Sequence, residues 1–189
     1  VLLLGLLLAG MSGAAETNAV RDAEARLATW RAPRFGLFIH WGPYAGLPDG
    51  QASSPRGLTM PEQEYDQLYR SFNPVKFDAD AWVETARTAG MKYLVFTAMH
   101  ADGFCMWDTK ETDYNILHTP FHRDVLRELA DACRRQHLGF GAYYSILNWC
   151  HPLSAVSGRR FEVVDGKRTL ANIPNPQADL PAYAEHVKR

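Results

Sequence analysis

Three short stretches of this chain run into side chains that can bind a ligand or carry a proton. Phe35 to Ile39 leads into His40, Trp41 and Gly42. Tyr93 to Ala98 leads into Met99 and His100, and Leu138 to Ser145 into Asn148, Trp149 and His151. Imidazole nitrogens hydrogen-bond hydroxyls, and indole or phenol rings cover apolar C–H faces, so such a pocket suits a sugar. The candidate ligand contacts at these strand ends are His40, with Trp41 beside it, His100, and the Asn148-Trp149-His151 cluster. A single histidine at a strand end is more often a packing residue than a ligand. Two at matching ends of adjacent strands favour a shared site. Asp102 offers a carboxylate, but Asp102-Gly103 is a favoured turn pair, and the turn is its first reading. A metal centre is the weaker alternative, because Phe-Ile-His-Trp-Gly lacks a second ligand two residues from His40. No metal and no cofactor is therefore expected. Asp108, Glu111 and Asp113 read as a solvated loop, and His118, His122, His137 and His186 form no constellation along the sequence.

These side chains need strands to hold them. Leu37, Phe38 and Ile39 form a continuous apolar run, which suits a strand covered on both faces, and Gly42-Pro43 stops it. Tyr93 to Ala98 and Leu138 to Ser145 are the second and third strands. Tyr143 and Tyr144 should point to opposite faces of the third. A helix is expected from Thr17 to Arg31, and a short one from Pro61 through Tyr65 and Tyr69. Another follows Asp78 as N-cap and closes at Gly90. The span from Asp124 to Gln136 has Val125, Leu129, Ala132 and Cys133 at helical spacing. Phe161 to Val164 and Lys167 to Leu170 flank Asp165-Gly166, a strong hairpin signal. Asp179 opens a last helix. Strand, long loop and helix thus recur three times, with long polar loops after the strands and tight returns at Ala89–Lys92 and Gln136-His137. That asymmetry is the pattern of a (β/α)8 TIM-like barrel, an α/β fold of which three strands are only the N-terminal part, incomplete in this chain. A doubly wound fold would place a glycine-rich phosphate turn where this chain has His-Trp-Gly-Pro.

The 189 residues are 47% apolar and 22% charged with a net charge of −1, the balance of a globular protein. No basic stripe marks a nucleic-acid partner or an anionic membrane surface. Residues 1–15 differ: Val1 to Leu8 is almost wholly aliphatic, and Met11 to Ala15 is small, as in the apolar core and cleavage region of a secretory signal. The expectation is a signal remnant over 1–15, an exported protein, and a catalytic portion over 16–189. Cys105, Cys133 and Cys150 are an odd number without metal-like spacing and read as free thiols. Composition gives no oligomeric state.

Several motifs occur in order: Arg34-Phe-Gly-Leu-Phe-Ile-His-Trp-Gly42, Phe72-Asn-Pro-Val-Lys-Phe-Asp78, Lys92-Tyr-Leu-Val-Phe-Thr-Ala-Met-His-Ala-Asp-Gly-Phe104, Asp113-Tyr-Asn115, Phe121-His-Arg-Asp124 and Phe140-Gly-Ala-Tyr-Tyr-Ser145. Together they resemble the α-L-fucosidases of glycoside hydrolase family 29, over about the first half of that family's catalytic barrel. The resemblance implies a retaining exo-glycosidase that removes α-linked L-fucose from glycans. It implies that His40 and His100 hydrogen-bond fucose hydroxyls and that Tyr143 lines the same pocket. It also implies that the nucleophilic Asp and the acid/base lie past Arg189, so no catalytic residue is expected in this chain. Two departures stand out. Ala101 occupies the place of a second adjacent histidine, and residues 51–61 lack the Glu-Trp pair of many members. Both point to weaker selectivity among related sugars. The rival readings are a fucose-binding pseudoenzyme without hydrolysis and a metal-dependent barrel hydrolase.

Overall fold

The computed structural model describes residues 20–29, 31–47 and 56–188. The expected signal segment and most of the loop that lacks the Glu-Trp pair lie outside the described residues. The elements, in order, are helix α1 (20–29), strand β1 (Gly36–Ile39), helices α2 (Glu62–Tyr65) and α3 (Ala79–Thr88), strand β2 (Tyr93–Met99), helix α4 (Val125–Arg135), strands β3 (Gly139–Tyr144), β4 (Val156–Val164) and β5 (Lys167–Pro174), and helix α5 (Leu180–Val187).

The three apolar runs form one parallel sheet in the order β1-β2-β3, with Leu37 opposite Leu94 and Leu94 opposite Phe140. Parallel neighbours require crossovers, and α3 and α4 supply them. Each crossover helix starts where a carboxylate satisfies an orphan amide. Asp78 accepts from the Ala81 amide at 3.0 Å, and Asp124 from that of Arg127 at 2.9 Å. Gly90 ends α3 with φ +85°, and the Met91 amide reaches back to the Ala86 carbonyl at 3.0 Å. His137, at φ 57°, fills the same left-handed position after α4, where the Leu138 amide donates to the Cys133 carbonyl at 2.9 Å.

The periodic faces of α3 and α4 pack on one side of the sheet. Val83 and Ala86 from α3, Leu94 and Phe96 from β2, and Val125, Leu129, Ala132 and Cys133 from α4 are all buried there. Truncating a fully enclosed leucine such as Leu129 to alanine costs about 2–5 kcal/mol, so this layer is the rigid base of the fold. The other side differs from the expectation of strands covered on both faces. Phe38 is 53% exposed, and Val95 and Tyr143 are only half-buried. The sheet therefore presents an open face, and the alternation of a strand puts Phe38 and His40 on it together.

Beyond β3, the hairpin turns at Asp165 (φ 50°) and Gly166 (φ 72°), the two positive values of a type I′ turn. Its strands are longer than the sequence pattern predicts, pairing from Val164–Lys167 back to Val156–Pro174. Asp179 caps α5 by accepting from the Ala182 amide at 3.1 Å. Cys105 and Cys133 are buried free thiols, and Cys150 is a free thiol at the surface. Among the described residues no helix is long and apolar enough to cross a membrane.

Candidate functional site

His40 follows β1, His100 follows β2, and Tyr143 lies near the end of β3, so the parallel register brings all three to one end of the open face. The rings of His40 and His100 meet edge to face with centroids 4.8 Å apart. Tyr143 lies 5.7 Å from His40 and 6.0 Å from His100. Phe38, one turn of the pleat below, completes the wall at 5.6 Å from His40 and 5.8 Å from Tyr143. Thr97, buried in β2, shares a hydrogen bond of 2.7 Å with His40 Nδ1. That bond orients the ring and leaves Nε2 as the nitrogen that addresses a ligand. Partial burial lowers the His40 pKa below its usual value, so the ring is neutral at pH 7 and Nε2 can donate or accept according to tautomer.

His100 reaches this face through a bulge. Thr97 pairs with Tyr143, but Met99 pairs with Tyr144, so one extra residue of β2 sits against β3. Strict alternation from Thr97 would aim Met99 at the site. The bulge instead turns Met99 inward, where it is 2% exposed, and passes the site position to His100. Tyr143 and Tyr144 do point to opposite faces: Tyr143 meets the histidines, and Tyr144 lies 6.3 Å from Trp107.

The structure does not bring Trp41 to this group. Its indole packs among Trp82 (5.1 Å), Phe72 (5.5 Å), Phe77 (5.6 Å) and Phe96 (6.4 Å) on the helix-covered side. The reason is again alternation: with His40 on the open face, its neighbour must face the helices. Asn148, Trp149 and His151 do not join the trio either. Asn148 is buried and its side-chain oxygen accepts from the Cys150 and His151 amides at 3.0 and 3.1 Å. The Trp149 amide donates to the Ala101 carbonyl at 2.8 Å, and its ring is buried.

His151 belongs to a second group, which sequence reading missed. Its ring lies 4.2 Å from that of His186 and 4.9 Å from Tyr183, and His186 Nδ1 is 3.5 Å from a Glu111 oxygen. Glu111, His151 and the α5 pair Tyr183 and His186 come from three segments that no sequence spacing relates to one another. Burial, and then the nearby His186, lower the His151 pKa. The group borders a cavity of about 530 Å³ lined by Met99, Trp107, Glu111, Tyr144, His151 and His186, on the opposite side of β3 from Tyr143. A cavity of about 800 Å³ lies elsewhere. It runs along Arg31, Arg34, Tyr93, Val95, Gly139 and Gly141, towards the starts of the strands and away from the histidines. The imidazole and phenol groups that can bind a ligand are at the other end, so chemistry rather than volume locates the site. Among the described residues no three His, Cys, Asp or Glu side chains are arranged to hold a metal ion.

Asp102 forms the turn expected of it, with Gly103 at φ +79°, but it is also buried, at 1% exposure. Burial pushes its carboxyl up to about 6, opposed by the hydrogen bond from Tyr65 and the amide of Phe104. A carboxyl raised in this way binds its proton more tightly folded than unfolded. Between about pH 4 and 6 the folded state holds the extra proton, so stability from this group rises as pH falls through 6 and is lost as pH rises. Asp102→Asn removes the penalty. The variant is expected to exceed the wild type in stability at pH 7 by on the order of 3 kcal/mol, with the gap closing by pH 4. Urea midpoints at the two pH values measure it, and a gap independent of pH would show that Asp102 is not the titrating group.

The comparisons with known proteins follow the same residues. The sequence matches the family model described as Alpha-L-fucosidase over residues 11–167. The human plasma alpha-L-fucosidase is 31% identical over 149 residues, covering 70% of this chain and 32% of the relative. Among solved structures, alpha-L-fucosidase isoenzyme 1 from Paenibacillus thiaminolyticus superposes with a TM-score of 0.70 at 36% identity, over 87% of this chain and 38% of that one. Alpha-L-fucosidase AlfC from Lactobacillus casei, solved in complex with its alpha-L-fucose product, gives 0.59 at 42% identity over 67% of this chain and 42% of that one. This chain spans about a third of the length of the curated relatives it matches. With a family match across most of its length, the chain belongs to the alpha-L-fucosidase family.

Proposed function

We propose that this chain is the N-terminal part of the (β/α)8 catalytic barrel of an exported, retaining exo-α-L-fucosidase, with residues 1–15 an export signal and 16–189 the first portion of the barrel. The observation that carries the reading is the cluster of His40, His100 and Tyr143 on the open face of a parallel sheet, in a chain of this family. The substrate is a glycan bearing terminal α-linked L-fucose. The two imidazoles address hydroxyls of the sugar, and the neutral state of His40 lets it donate or accept. Tyr143 and Phe38 cover an apolar patch of the ring. Thr97 keeps the His40 ring from rotating, so the site is set before the sugar arrives.

Retention of configuration requires two carboxyls about 5 Å apart. We place both in the part of the family domain that this chain does not span, where the remaining strands also cover the open face and fill the cavity beside Arg31 and Arg34. Ala101, buried at 4% exposure, leaves the site one hydroxyl partner short of relatives with paired histidines, and discrimination against a sugar that differs at that hydroxyl weakens accordingly. The test is hydrolysis of an activated aryl α-L-fucoside by the full-length protein, with the anomer of released fucose followed by NMR. First-formed α-L-fucose supports the reading. Fucose binding without turnover would instead make this a sugar-binding relative of the enzymes.

A further inference from the structure

The turn that carries His100 is fixed by more than its own backbone. The Gly103 amide closes it on the His100 carbonyl at 2.9 Å. One Asp102 oxygen accepts from the Phe104 amide at 3.3 Å, a local turn contact. The other accepts from the Tyr65 hydroxyl at 2.9 Å, from helix α2, 37 residues earlier in the chain. A turn aspartate acting only through its own backbone has no need of burial, whereas Asp102 and Tyr65 are each 1% exposed. On the other flank, the Ala101 carbonyl takes the Trp149 amide, and Gly103 lies so close to Asn148 that a Cβ there would meet its side-chain oxygen at 2.5 Å. The turn is thus gripped between α2 and the loop after β3, immediately beyond the bulge that aims His100. Tyr44, whose hydroxyl is buried without a hydrogen-bond partner among the described residues, and Arg56, paired with Asp66 at 2.7 Å, lie within electrostatic reach of the same carboxylate.

We propose that Tyr65 and Asp102 form a clamp that positions His100, the phenol on α2 holding the turn carboxylate and the turn setting where the imidazole enters the sugar site. The inference rests on the reading of His100 as a contact to fucose. Tyr65 and Asp102 are positioning residues here: neither touches the sugar, and their effect passes through His100. This is a role distinct from general stability, because it predicts energetic coupling to one side chain.

The experiment is a double-mutant cycle in the full-length protein, read as kcat/KM on an aryl α-L-fucoside. Tyr65→Phe keeps the ring and removes the hydroxyl, and is expected to lower kcat/KM about tenfold while the protein stays folded by circular dichroism. In a His100→Ala background the same change is expected to lower it less than twofold. Asp102→Ala should behave as Tyr65→Phe does, and Asp102→Asn should return to within about threefold of wild type, because an amide serves both Phe104 and Tyr65. If one of the two disruptive variants fails to fold, the other carries the cycle. Equal factors in both backgrounds, or no loss in either variant, would overturn the clamp. A wild-type protein that leaves the fucoside intact would overturn the fucosidase reading itself, a separate and recognisable result.

Discussion

Replacing His100 with alanine in the full-length protein is expected to lower kcat/KM for an aryl α-L-fucoside by at least about 10²-fold, and His40→Ala by a similar factor. About 10²-fold corresponds to about 2.7 kcal/mol of lost transition-state stabilisation. That is the scale of leaving a sugar hydroxyl unpaired in a site built to bond it. The two rings touch edge to face at 4.8 Å, so removing either also frees the other to reorient, and the losses should not add. His40 carries a pH signature as well. Its pKa lies below the usual 6.5 because of burial, so the ring is neutral through the neutral range and charges only under more acid conditions. Thr97→Val removes its hydrogen-bond partner and should raise KM more than it changes the pH profile. An unchanged kcat/KM in His100→Ala would remove His100 from the site.

Much of this architecture can be read from the chain because it is written locally. Apolar runs at Leu37, Leu94 and Phe140 become adjacent strands. Asp78, Asp124 and Asp179 each cap the helix whose start they mark. Asp165-Gly166 makes its hairpin turn. The pairing of His40 with His100 is legible for the same reason, since parallel register puts matching strand ends side by side. What the sequence hides is set by facing and by distance along the chain. Trp41 looks like a sugar platform by type, yet alternation places it among Phe77 and Trp82. The bulge at Thr97/Met99 decides that His100 and not Met99 faces the site, and no composition signal marks it. Asp102 reads as a turn residue and is one. Its bond to Tyr65 is a long-range contact that periodicity cannot reveal. His186 shows no partner in sequence because Glu111 and His151 reach it only through the packing of α5.

Expressed alone, residues 1–189 are expected to hydrolyse an aryl α-L-fucoside at less than about 10⁻³ of the full-length rate. Glycoside retention needs a nucleophile and an acid/base held about 5 Å apart across the bond. The residues gathered at the site are His40, His100, Tyr143, Phe38 and Thr97, which can bind and orient a sugar but offer no carboxylate pair. The carboxylate nearest in sequence, Asp102, is buried and bonded to Tyr65, and at neutral pH it is tied to the turn rather than presented to a ligand. The fold around the site is also exposed to solvent where an enzyme core would be closed. Phe38 is 53% exposed, Ile146 70% and Leu147 42%, and an open apolar face beside strand edges favours association over a dispersed monomer. Light scattering of the purified chain should therefore show self-association, reduced when the full-length protein is made. Activity within tenfold of the full-length protein would mean that the catalytic carboxylates are already present in this portion. Asp102 would then have to leave Tyr65 and act on the sugar itself, and Asp102→Asn would abolish turnover instead of preserving it.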